Sequence, residues 1–195
     1  MLKIEKLESP HPFAANSYLI SSDGEYAVVD PTAPYRDGMC EGTVKYILLT
    51  HAHFDHILEV DSWVNATGAE VIISAAEADA LSDPMRNCYK LYDGTDRGYF
   101  GERRGISEGD TIPLGDQTVE MLALFNICRK IFIIRIIDIR EHIIRHNTDC
   151  RTMFHNSPGI KNGIILSTAS ECISLTCKHR NTRCKKKHHD PPAGF

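Results

Sequence analysis

Apolar and polar residues alternate unevenly along the chain, and the unevenness marks out its elements. Leu2 to Leu7 sets Leu2, Ile4 and Leu7 against Lys3, Glu5 and Lys6, the near-alternation of a half-buried strand. Glu8-Ser9-Pro10-His11-Pro12 breaks it. Ser17–Ser21 and Glu25–Asp30 are β-rich runs joined through Ser22-Asp23-Gly24, a hairpin signal because Asp-Gly tolerates the positive φ of a tight primed turn. Thr43–Thr50 is apolar on both faces toward its end, as a largely buried strand must be. Ile57–Ala66 places Ile57, Val60, Trp63 and Val64 at helical spacing, with Gly68 as the stop. Glu70–Ser74 reads as a strand and Ala75–Leu81 as a short helix halted near Asp83-Pro84. Met85–Gly105 is an irregular loop with four aromatic residues, suited either to lining a cleft or to packing over a sheet. Gly109–Gly115 and Thr118–Leu124 form a second hairpin. Strands with helices between some of them predict an α/β or layered α+β domain.

Past Leu124 the pattern fails. Ile131–Arg140 is apolar on both faces, so neither a period of 2 nor one of 3.6 selects a core side, and an exposed run of this kind favours aggregation. Lys185–Pro192 has the composition of a disordered segment. Charge changes at the same place. Residues 1–125 carry 9 Lys+Arg against 21 Asp+Glu, and residues 126–195 carry 13 against 5. Valine and tyrosine each occur seven times before position 126 and never after it, whereas 13 isoleucines and five of the seven cysteines follow it. The parts of one cooperative domain rarely differ so sharply. The expectation is a domain over 1–124 followed by an unmatched basic, Ile-rich tail over 125–195, arising from a shifted reading frame or a gene rearrangement.

The remaining composition narrows the setting. Met1–Lys6 is charged and leads into no long apolar segment, so no signal peptide is expected, and no run reaches the roughly 18 apolar residues of a membrane span. An odd cysteine count without a repeated framework points to a reduced, cytoplasmic chain. The acidic first part disfavours a nucleic-acid substrate, because a polyanion would meet like charge. A small-molecule substrate is the expectation, and the oligomeric state is left open.

The chemistry concentrates in Thr50-His51-Ala52-His53-Phe54-Asp55-His56, at the end of the buried strand and just before the helix. On extended backbone, residues two apart share a face, so His51 and His53 can converge on one ion. Asp55 and His56, where the chain turns, can face a second. Three imidazoles and a carboxylate suit zinc, with iron or manganese also compatible. Ions so held lower the pKa of a bridging water, which then attacks an ester, thioester, amide or phosphodiester as hydroxide. A His-rich surface loop is the bland alternative, and the strand-then-helix context disfavours it.

Thr50–His56 resembles the T-H-x-H-x-D-H signature of the metallo-β-lactamase fold superfamily, and Asn16–Ile20, Val28-Val29-Asp30-Pro31 and Thr43–Thr50 are similar to that family's upstream strands. The resemblance covers about residues 1–124. It implies an αββα sandwich, of which the N-terminal half is matched, with His51 and His53 ligating one zinc and Asp55 and His56 a second. Asp55 would also orient the attacking hydroxide as the catalytic carboxylate. His56 resembles the glyoxalase II-like hydrolases of small thioesters or esters, and His53 argues against the flavin-linked di-iron relatives, which have glutamate there. Three further family ligands have no counterpart. No G-H-T-x-G-S-like turn follows Leu124, Gly115-Asp116 comes too early, and His142, His146, His155 and His179 lack matching context. The expectation is therefore a weakly active or inactive hydrolase, against the alternatives of a nuclease of the same superfamily or a non-enzymatic remnant. A tail zinc site at Cys172, Cys177, Cys184, His188 and His189 lacks C-x-x-C spacing, and RNA binding by the tail is disfavoured because its aromatic residues are sparse, only Phe125, Phe132, Phe154 and Phe195.

Overall fold

The computed structural model describes residues 1–125, 130–137 and 164–166. The tail's candidate histidines and cysteines, the segment Lys185–Pro192 and the last three residues of Ile131–Arg140 lie outside them.

Two sheets face each other. The first has six strands: β1 (Lys3–Leu7), β2 (Ser17–Ser22), β3 (Glu25–Val29), β4 (Thr43–Leu48), β5 (Glu70–Ser74) and β6 (Arg104–Ile106), hydrogen-bonded in that order. Its first three strands form an antiparallel meander, and β3, β4, β5 and β6 run parallel. The second sheet holds β7 (Thr111–Leu114), β8 (Gln117–Phe125), β9 (Lys130–Ile137) and β10 (Ile164–Leu166), antiparallel in the order β10-β9-β8-β7. This is the mixed α/β architecture that the pattern predicts, in the two-sheet arrangement that the resemblance implies. The isoleucine-rich run past Phe125 pairs along β8 from Phe125↔Lys130 to Thr118↔Ile137.

The apolar runs of the first sheet follow from burial on both sides. Ile20, Ala27, Val29, Leu48 and Ile72 meet Ile112, Leu114, Val119 and Met121 of the second sheet in one buried cluster. Their neighbours Leu19, Val28, Ile47, Val71 and Ile73 point the other way, onto α1 (Val60–Thr67) and its loops, with Trp63 at the centre of that second cluster. Trp63 is fully buried and donates its Nε1–H to the Ala33 carbonyl at 2.8 Å, so its polar edge is satisfied inside the core. The Asp23-Gly24 turn has φ of 48° and 76°, the two successive positive values of a primed hairpin turn.

Three local expectations are corrected. The helix after the histidine cluster begins at Val60 rather than Ile57, because Phe54–His56 forms a 3-10 turn closed by His56 N–H to His53 O and Ile57 N–H to Phe54 O. It ends as read, with Gly68 at φ 67° donating to Val64 O. The short helix expected over Ala75–Leu81 starts later and is of the 3-10 kind: a turn closed by Glu77 N–H to Ser74 O leads into a 3-10 helix over Ala78–Ser82, with Ala80 N–H donating to Glu77 O and Asp83 N–H to Ala80 O. Pro84 pushes Asp83 into extended backbone, which leaves no room for a further α turn. Met85–Gly105 is less irregular than expected. It contains α2 (Tyr89–Tyr92) and the start of β6. Of its aromatics, Tyr89 and Tyr99 are buried in the core, and Tyr92 and Phe100 are exposed.

Candidate metal centre

Parallel neighbours end on the same edge of a sheet, and crevices at the carboxyl ends of such strands are the usual place for ligands. The edge where β3 and β4 end carries the histidine cluster. Asp30 N–H donates to Leu48 O at 3.0 Å and Leu49 N–H to Ile72 O at 2.8 Å, so the last residues of both strands are still held in the ladder as the site begins.

Asp30 is the anchor. It is fully buried and sits at φ 45°, a left-handed conformation that Asp tolerates better than most residues. Its Oδ1 accepts from the Thr50 backbone N–H at 2.9 Å. Its Oδ2 accepts from the Thr50 hydroxyl at 2.7 Å and lies 2.8 Å from Nδ1 of His56. An ionised carboxylate only accepts, so the proton of the last pair belongs to Nδ1 of His56. Nε2 of the same ring lies 3.5 Å from Oδ2 of Asp55.

His51, Asp55 and His56 are buried, and His53 is half-buried. The ring centroids of His51 lie 4.7 Å from those of His53 and 3.9 Å from those of His56. All four expected ligands are thus gathered on one loop. Burial pushes the Asp55 carboxyl above the usual carboxylate range; the nearby Asp30 charge adds to this and His56 opposes it. The loop is fastened on both flanks. Ala15 N–H donates to Asp55 O at 3.0 Å, and Phe54 N–H donates to Asn87 O at 2.8 Å. Asn87 is itself buried, with its side chain donating to Leu81 O and Arg97 O. Phe54 also stacks on Tyr92 with centroids 4.1 Å apart.

The donor chemistry fits a small divalent ion. Two ligands bonded at about 2.1 Å in a tetrahedral arrangement lie roughly 3.4 Å apart, near the spacing of His56 Nε2 and Asp55 Oδ2. A carboxylate behind a ligating imidazole, as Asp30 stands behind His56, is the outer-shell partner that metal-binding histidines commonly have. Among the described residues, no group of three or more His, Cys, Asp or Glu side chains closes around one ion. The spacing of residues 51, 53, 55 and 56 foretells the gathering. It does not foretell that Asp30, 20 residues before Thr50, carries the cluster, although a lone Asp between a buried strand and Pro31 is the visible clue. The part of Asn87 had no sequence signal.

A sequence profile described as the Metallo-beta-lactamase superfamily matches residues 11–127, which include the whole loop and its Asp30 support. The chain belongs to the metallo-beta-lactamase superfamily. Solved structures of this superfamily share its fold. BLEG-1, described as a B3 metallo-beta-lactamase, superposes with a TM-score of 0.58 at 21% identity, over 70% of this chain and 67% of that one. ST1585, an archaeal superfamily protein from Sulfolobus tokodaii, gives 0.55 at 13% identity, over 70% of this chain and 60% of that one. A B3 metallo-beta-lactamase described as having an active-site glutamic acid gives 0.52 at 18% identity, over 70% and 57%. The chain therefore spans about three fifths to two thirds of these relatives. No curated protein matches its sequence. Among the described residues, no helix is long and apolar enough to cross a membrane.

Proposed function

We propose that this superfamily member is a glyoxalase II-like, metal-dependent hydrolase of a small thioester or ester, with weak activity. The observation that carries it is the gathering of His51, His53, Asp55 and His56 on one loop, with the ring of His56 held from behind by buried Asp30. His51 and His53 would hold one ion and Asp55 and His56 another, with zinc favoured and iron or manganese suited to the same donors. Such an ion, when bound, supplies Lewis acidity that brings the pKa of a water toward neutrality. Asp55, buried beside His56, would help hold the second ion and would orient the attacking oxygen as the catalytic carboxylate. The acidic charge of residues 1–125 supports a small substrate over a polyanion. The odd set of seven cysteines supports a reducing, cytoplasmic setting.

Weak activity follows from ligand count. Two protein ligands per ion bind far less tightly than the three or more of an efficient site. The composition break at about residue 125, with no family-like ligand turn after it, supports an incomplete set caused by a shifted frame or a rearrangement. The test is hydrolysis by the zinc-supplemented chain of a small thioester, a β-lactam and a phosphodiester side by side. Slow thioester turnover that is lost in His53→Gln supports the proposal. Preference for either other substrate contradicts the substrate class, and full zinc occupancy with rapid thioester turnover contradicts the incompleteness.

A further inference from the structure

The Thr50 hydroxyl reaches a member of each proposed ligand pair, and its polar neighbours include Asp30 Oδ2 at 2.7 Å, His51 Nδ1 at 3.2 Å and His56 Nδ1 at 3.4 Å. A hydroxyl has one proton to give. If it went to His51, two oxygen acceptors would stand 2.7 Å apart with no proton between them, beside a buried carboxylate. The proton therefore goes to Asp30, where the charge-assisted bond is also the stronger one. The hydroxyl oxygen is then left as an acceptor facing Nδ1 of His51 at 3.2 Å, a contact that favours a proton on that nitrogen. His56 keeps its own proton for Asp30, which is closer at 2.8 Å and charged.

We propose that Thr50 is a positioning residue that sets the tautomer of His51, so that His51 and His56 both carry the proton on Nδ1 and offer Nε2 to a metal ion. One carboxylate oxygen, Asp30 Oδ2, then governs both pairs: directly at His56, and through the Thr50 hydroxyl at His51. The two proposed half-sites, whose His51 and His56 rings lie 3.9 Å apart, are coupled through this oxygen. The inference rests on the metal-binding reading of the loop for its consequence, but the tautomer itself belongs to the metal-free protein.

The experiment uses the full chain with 15N-labelled histidine at about pH 8, where an unperturbed imidazole is neutral. Long-range proton–nitrogen spectra identify which ring nitrogen is protonated, with His51 assigned by its loss in His51→Gln. The expected result is Nδ1–H at His51 in the metal-free wild type and in Thr50→Ser, and a mixture of tautomers in Thr50→Val. Zinc affinity, measured by competition with a chromophoric chelator, should fall about 10–100-fold in Thr50→Val and recover in Thr50→Ser. Nε2–H at His51 in the wild type overturns the proposal whether or not any variant folds. Wild-type tautomer and affinity in a folded Thr50→Val overturn it as well. A wild-type chain that binds no zinc would refute the metal reading of the loop, while the tautomer spectra would still decide the part of Thr50.

Discussion

Replacing Asp30 with alanine removes the acceptor for three donors at once: Thr50 N–H, Thr50 O–H and Nδ1–H of His56. The hydroxyl can rotate and accept from Nδ1 of His56, 3.4 Å away, but the amide is fixed by the backbone. The Thr50 amide deprived of its buried acceptor costs about 1–3 kcal/mol, and loss of the charge-assisted bond to His56 about 1.5–3 kcal/mol. Alanine at φ 45° adds about 1 kcal/mol, because Asp is the more tolerant residue in left-handed backbone. Relief from burying a carboxylate works in the opposite direction. The expected net loss is about 3–5 kcal/mol, the range for breaking a buried charged pair from one side. Asp30→Asn should cost about 2 kcal/mol, since it keeps an acceptor for the Thr50 amide and tolerates the backbone, yet sets an NH2 group against the other two donors. Urea denaturation of the metal-free proteins gives both values from the midpoint, provided the slope is unchanged. A loss under about 1 kcal/mol for Asp30→Ala, or an Asn variant as unstable as the Ala variant, would refute the assignment of Asp30 as the anchor.

Other consequences follow from the same geometry. Asp55→Asn should stabilise the metal-free chain at neutral pH, read as a higher Tm, because burial raises the folded-state pKa of Asp55. The sign is that of a raised carboxyl: its favourable contribution is full below the unfolded value of about 3.9 and is lost as pH rises through the folded one, so the variant should also flatten the pH dependence above that value. Trp63→Phe leaves the Ala33 carbonyl without its donor and opens a void beside Tyr35, for an expected loss of about 2–3 kcal/mol in urea denaturation. Gly68→Ala meets open space but forces φ 67° on an L side chain, so it should cost about 1 kcal/mol in the same assay, from the backbone alone.

What the sequence made legible was whatever depends on local pattern. Strands buried on both faces, such as β4, show as unbroken apolar runs, and Asp23-Gly24 and Gly68 announce their turn and stop through backbone geometry. The loop from His51 to His56 was legible because ligand types and spacing coincide with a strand end. The start of α1 was misplaced because Ile57 has helical spacing to Val60 and Val64, while the competing 3-10 turn over Phe54–His56 is set by contacts to Ala15 and Asn87 that no local pattern records. Asp30, Thr50 and Asn87 act across 20 to 33 residues of chain, through hydrogen bonds that exist only once parallel strands and loops are assembled. Pairing of Lys130–Ile137 with β8 is not legible in the sequence for a related reason: a run apolar on both faces has no period from which to read its partner.

The proposed metal site in the loop from His51 to His56 is tested most directly by titrating the metal-free full chain with zinc, followed by chelator competition, in parallel with the His51→Gln/His53→Gln double variant and with a folded state verified for both. The wild type should bind zinc weakly for this superfamily, and the double variant should lose binding or fall by at least about tenfold. Equal zinc affinity in the two proteins, or no binding to the wild type, would contradict it.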